Sequence, residues 1–222
     1  MNQRALTSLT PITHKIKDNW EISDFGQTDY EPMWQAMKAL TQQRDEKTLD
    51  QIWLTTHSPV YTLGLAGQEK HLLTETNIPI VKTDRGGQIT YHGPGQQMVY
   101  VLCDLKRQHL WVKEWVYLLE QTLIDALQCW GLQAARFSGR PGVYVQERKI
   151  AALGIKVSRG CSYHGFALNV DVDLSAFEAI NPCGYSDQQT TSLAKEGVFV
   201  SWPNIQETLV SCLINQLTNR AS

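Results

Sequence analysis

The chain has 222 residues, 42% of them apolar and 19% charged, with a formal net charge of −2. That balance suits one soluble domain with a real core, and it leaves no electrostatic case for nucleic acid or an anionic membrane surface as main partner. No apolar run approaches the roughly 18 residues of a membrane-spanning helix, and the first twenty residues lack the apolar centre of a secretory signal.

Residues 1–19 read as a loosely ordered leader and 20–222 as a single domain. Thr28 to Glu31 has the S/T-x-x-E form of a capping box, and Met33, Trp34, Met37 and Leu40 follow at helical spacing, which predicts an amphipathic helix over 29–44. "DQIWLTTH" (50–57) and "PVYTLG" (59–64) read as strands around a tight connection. "IPIVKTD" (78–84), "QITYHG" (88–93) and "QMVYVLCDL" (97–105) are three more β-like runs. Over 111–130, Val112, Trp115, Leu119, Leu123, Ala126, Leu127 and Trp130 form one apolar stripe, with Gly131 as the stop. Residues 142–174 read as three strands joined by turns near Glu147–Arg148 and Arg159–Gly160. A short helical turn follows at 175–179. A last helix from about Asn204 presents Ile205, Leu209, Leu213, Ile214 and Leu217. The order predicts an α+β single domain, a mixed β-sheet with packed helices.

The run "RGGQITYHGPGQ" (85–96) is the first candidate site. A hairpin turn would explain its glycines. A ligand site would explain them too, because a bound chain could lie against backbone without Cβ atoms while Arg85, Tyr91 and His92 supplied polar contacts. It is neither a phosphate-cradling P-loop nor a dinucleotide G-x-G-x-x-G.

Five widely spaced cysteines with no C-x-x-C pair indicate reduced thiols in a cytosol-like compartment. Cys103, Cys129 and Cys212 read as inert core or surface thiols. Cys161 with His164 gives C-x-x-H, half of a zinc pattern without a second half. Cys183 differs: in "INPCGYS" it stands between Pro182 and Gly184, a setting suited to an aimed nucleophile. Such a thiol needs a proton acceptor. His92 and His164 are available, and so is Lys149, which opens the run "KIAALGIK"; small apolar surroundings favour an amine over an ammonium. A solvated lysine at a hairpin tip is the alternative reading.

Taken together, these segments resemble the lipoyl(octanoyl) transferase family, the octanoyl-[acyl-carrier-protein]–protein N-octanoyltransferases also called lipoate–protein ligase B. "RGGQITYHGPGQ", "RKIAALGIK", "HGFALNV" and "INPCG" follow in that family's order and spacing, and the similarity runs from about residue 20 to the C-terminus. The resemblance implies a lipoate-ligase-like fold shared with biotin protein ligases. It implies octanoyl transfer from acyl carrier protein to a lysine of the lipoyl domains of 2-oxoacid dehydrogenase and glycine cleavage proteins, in the cytoplasm. No cofactor is expected beyond the carrier's own phosphopantetheine arm. By matching position Cys183 would be the acyl-thioester nucleophile and Lys149 its activating partner. Arg85, Gly86, Gly87, Gln88, Ile89, Thr90, Tyr91 and His92, with Ala152, Leu153, Gly154, Gly165, Phe166 and Ala167, would line the acyl-chain site, and His164 would give polar support. Arg85, Arg136, Arg140, Arg148, Lys149, Lys156 and Arg159 could steer acidic partners, or form an ordinary solvated rim. Two other readings stand beside this one: an ATP-dependent lipoate or biotin ligase, and a non-catalytic acyl-binding protein.

Overall fold

The computed structural model describes residues 9–74, 76–180 and 189–218. An eight-stranded sheet forms the frame, in the order β1-β2-β3-β7-β11-β10-β9-β8. Its strands are β1 Thr13–Lys17, β2 Trp20–Thr28, β3 Asp50–His57, β7 Gln96–Asp104, β8 Ala135–Phe137, β9 Arg140–Val145, β10 Arg148–Ser158 and β11 Cys161–Asn169. Neighbours are antiparallel except β2 and β3, which run parallel because helix α1, Tyr30–Gln43, carries the chain back between them. A second sheet holds β5 Ile80–Lys82, β4 Val60–Leu63 and β6 Ile89–His92, in that order. The mixed α+β architecture matches the sequence-based expectation.

Periodicity decides which faces are buried. Helices α2, Val112–Cys129, and α4, Trp202–Thr218, cover one face of the large sheet. Trp115, Leu119, Leu123 and Leu127 join Ile205, Leu209 and Leu213 over Val99, Val101, Val143, Ile150, Phe166 and Leu168. On the other face α1 packs Met33 and Met37 onto Trp53, Met98, Tyr100 and Leu102. Tyr61, Leu63, Ile89 and Tyr91 of the small sheet form a third cluster with Val172 and Ile180, next to the short helix α3, Ser175–Glu178. Among the described residues no helix is long and apolar enough to cross a membrane.

The strands over 140–169 turn at Gln146–Glu147 (φ +47° and +68°) and Arg159–Gly160 (φ +56° and +87°). Two successive left-handed residues are the hairpin geometry that matches strand twist. Three expectations need correction. Thr28 does not cap α1: the N-cap is Asp29, without a side-chain cap bond, and the Thr28 hydroxyl bonds Thr55 Oγ1 across the sheet at 2.8 Å instead. Val112 is not on the buried stripe of α2; it is exposed at the first turn, before the helix meets the core. Residues 13–17, assigned to the leader, are strand β1, held along its length by β2.

Candidate active site

A cavity of about 260 Å³ opens on the face of β10 and β11 that also carries α1 and the small sheet. The strand register explains its smooth wall. Ala152 pairs with Ala167 and Gly154 with Gly165, so two rows of minimal side chains lie side by side. Gly165 is required by close approach: a Cβ there would stand 2.1 Å from the Val99 carbonyl oxygen. Leu153 and Phe166, whose side chains belong with the α2–α4 core, border the cavity between those rows, and Arg85, Gly87, Gln88, Ile89, Thr90 and His92 form the opposite wall. Lys149 and His164 also line the cavity.

Two of the expected lining residues are placed elsewhere. Gly86 turns its N–H to the Ile155 carbonyl at 3.0 Å, tying the glycine run to β10. Tyr91 points into the third core cluster, its ring 5.5 Å from Tyr61 and 5.7 Å from Phe177. For Tyr91 this follows from strand alternation, which sends the residue between Thr90 and His92 of β6 the other way. Cys183 lies outside the described residues. Of the seven basic residues suggested as a steering patch, only Arg85 and Lys149 line the cavity. Arg136 pairs with Glu120 at 3.3 Å, Arg148 with Glu196 at 3.0 Å, and Arg159 donates to the Gln42 carbonyl.

Lys149 is buried, 8% exposed. Its aliphatic stem passes over Gly142, where φ is +127° and a Cβ would come within 3.0 Å of Lys149 Cε. Nζ stands 5.5 Å from the centroid of the Tyr144 ring. The backbone of Lys149 is clasped on both sides: its N–H donates to the Gln189 carbonyl at 2.8 Å, and its carbonyl accepts from the Thr191 N–H at 2.9 Å. The segment that leaves Cys183 six residues earlier is thereby fastened to the lysine.

A chain of hydrogen bonds runs from the glycine run to that same segment. Arg85 is buried; its guanidinium donates to the carbonyls of Thr62, Gly86 and Gln88 and to the Thr62 hydroxyl, at 2.6–3.1 Å. Among the described residues no carboxylate pairs with it, so these oxygens offset the cost of its buried charge. Because Thr62 Oγ1 accepts from Arg85, its proton is left to donate to His92 Nε2 at 3.2 Å. His92 Nδ1–H then donates to Gln96 Oε1 at 2.8 Å, Gln96 Nε2 to Asn169 Oδ1 at 2.8 Å, and Asn169 Nδ2 to the Thr191 carbonyl at 2.9 Å. All the bonds point one way, an arrangement in which each strengthens the next. Burial, with His57 and Arg85 nearby, pushes His92 well below the usual histidine range, so it serves this chain as a neutral ring.

His164 is organised separately. Its Nε2–H donates to Asp84 Oδ1 at 3.0 Å, and Trp34 Nε1 and the Tyr163 hydroxyl donate to the same carboxylate at 2.8 and 2.6 Å. Burial works against the Asp84 carboxylate, but these bonds outweigh it and hold the carboxyl well below its usual range. Burial lowers His164 despite the pull of Asp84. The ring is therefore neutral, with its proton on Nε2 and a bare lone pair on the buried Nδ1, which has no partner among the described residues.

The sequence did not single out Tyr30, Met98, Tyr100, Asn169, Phe177 or Thr190, which also line the cavity, nor Asp84. Asp84 and Asn169 each adjoin a segment read as site, at "DRGG" and "HGFALN". Tyr30 and Tyr100 carry no local signal and arrive only through packing. Among the described residues, no three His, Cys, Asp or Glu side chains gather as a metal site would need.

Residues 29–214 match the family model described as the lipoyl protein ligase A/B catalytic domain. A curated relative from Azoarcus sp. (strain BH72), named octanoyltransferase, is 53% identical over 197 residues, 88% of this chain and 87% of its own length. Among solved structures, lipoate-protein ligase A bound with ATP superposes with a TM-score of 0.73 at 13% identity, over 91% of this chain and 86% of that one. The biotin protein ligase of Aquifex aeolicus gives 0.53 at 12%, over 89% and 68%.

Proposed function

Because the chain belongs to the lipoyl protein ligase A/B catalytic family, we propose that it moves an octanoyl group from acyl carrier protein to a lysine of a lipoyl domain through a thioester on Cys183. It is an acyltransferase of protein lipoylation. The observation that supports the detailed reading is the small-residue wall of Ala152, Gly154, Gly165 and Ala167 ending at a buried Lys149. Five steps along β10 separate Lys149 from Gly154, about 16 Å of strand, room for an extended eight-carbon chain. Burying about seven of its carbons is worth roughly 6 kcal/mol at ~0.8 kcal/mol each. That term favours octanoyl over shorter chains.

In this reading Lys149 accepts the Cys183 proton and the thiolate attacks the carrier thioester, releasing the pantetheine thiol. The acceptor lysine's amine then attacks the Cys183 thioester, forming the amide and restoring the thiol. Thioester exchange is nearly level in free energy and amide formation is downhill, so the steps need no ATP. Intact-protein mass spectrometry after exposure to octanoyl carrier protein alone tests this. The expected result is one octanoyl adduct, mapped to Cys183 and absent in Cys183→Ala. Acceptor octanoylation by Cys183→Ala, or modification that proceeds only with free octanoate and ATP, would count against the covalent route.

A further inference from the structure

The thiols of α2 and α4 occupy a different part of the molecule, on the face of the sheet away from the cavity. Gln216 of α4 donates to Asp125 of α2 at 2.6 Å. One turn onward along α2 is Cys129, and one turn back along α4 is Cys212. Four residues advance a helix by about 6 Å and nearly one full turn. Antiparallel helices that meet at 125 and 216 therefore meet again at 129 and 212. That places the two thiols next to each other, near enough for Cys129 to act on the Cys212 thiol. Cys129 is exposed at the end of its helix, while Cys212 is half-buried against the core. Cys103 and Cys161 share no such arrangement. Their register sets Cys103 opposite Ser162 and Cys161 opposite Asp104, so the two thiols leave opposite faces of the sheet.

We infer that Cys129 and Cys212 form a modification site that a peroxide closes into a disulfide between α2 and α4. Cys129 Sγ attacks one peroxide oxygen; the O–O bond breaks, water leaves, and Cys129 becomes a sulfenic acid. Cys212 Sγ then attacks the Cys129 sulfur, its proton leaves with the displaced hydroxide as a second water, and the S–S bond forms. Two thiols and one hydrogen peroxide give one disulfide and two waters. The order of events follows from exposure. Burial and the neighbouring Cys129 push the Cys212 thiol up to about 12, so it stays protonated and inward while Cys129 meets the oxidant. Strands β8–β11 and Lys149 all lie within the loop of about 80 residues that the bond would close, a length at which a cross-link restricts the unfolded chain strongly.

The test uses the full chain carrying Cys183→Ser, so that this thiol takes no part. After treatment with hydrogen peroxide the protein is alkylated, digested and mapped, and its thermal unfolding is recorded. The expected product is a monomer lighter by two hydrogens, with the Cys129 and Cys212 peptides linked, and a Tm higher by roughly 10 °C. Dithiothreitol should reverse both changes, and Cys129→Ser and Cys212→Ser should each abolish them. Sulfinate at Cys129 with Cys212 still alkylated, or a dimer linked through Cys129, would overturn the inference.

Discussion

His164 sits in the middle of β11 with φ at +61°, a conformation that costs a non-glycine residue about 1–2 kcal/mol. Its register partner is Ile155, whose side chain belongs with the α2–α4 core, so a regular strand would aim the imidazole there. The left-handed twist turns it back beside Tyr163, and the two rings stack at 5.0 Å over Asp84. Backbone strain is thus offset by charge-assisted bonds to a carboxylate. Lys149 reaches the cavity by a different route, through its backbone clasp and the vacancy above Gly142. Lys149→Met keeps the stem, the clasp and most of the packing, and removes only the amine. If Lys149 is the proton acceptor for Cys183, octanoyl-adduct formation in that variant should slow by about 10²–10⁴-fold. Tm should stay within a few degrees of the parent, both read on the same sample.

Elements bring together what residues alone do not. The hydrogen-bond chain from Arg85 to Thr191 draws on β4, β6, β7 and β11, and its two amides lie side by side because Gln96 is the register partner of Asn169. Asn169→Ala would leave the Gln96 amide and the Thr191 carbonyl without their partner, at a cost of about 1–3 kcal/mol. It should also slow Cys183 acylation by roughly tenfold through displacement of the 189–191 segment. Thermal unfolding and adduct kinetics measure the two effects. This network was only half legible in the sequence. Arg85, His92 and Gln96 fall inside one glycine-punctuated run that stood out by composition. Asn169 and Thr62 looked like ordinary strand residues, since nothing local records which strand lies beside which. Thr28 shows the converse: a valid capping pattern lost to Thr55, a partner 27 positions away.

For the molecule as a whole, pH should matter through the buried histidines. His57 is held between the Thr28 carbonyl, which accepts from its Nδ1–H at 3.0 Å, and the Tyr100 hydroxyl, which donates to its Nε2 at 2.6 Å. Burial pushes His57 down to about 4 from 6.5, and His92 and His164 are lowered as well. Between those limits the unfolded chain binds more protons than the folded one, so stability rises with pH. The contribution is fully present above about pH 7 and is lost as pH falls from about 6.5 towards 4, with His57 alone accounting for about 3 kcal/mol. Thermal scans between pH 8 and 5 should show Tm falling below pH 6.5, and His57→Gln should flatten that fall. The layered architecture itself was legible, because helical stripes and alternating strands each announce which side is apolar. The edge strand β1 was not: all five of its residues are exposed, so no burial pattern marks it.

The double clasp between Lys149 and residues 189–191 has a mechanical consequence. Two parts joined through both backbone faces of one residue move as a single body, so any breathing that widens the slot carries the Lys149 backbone along with residues 189–191. Their relative placement is then insulated from movements of the strands on either side.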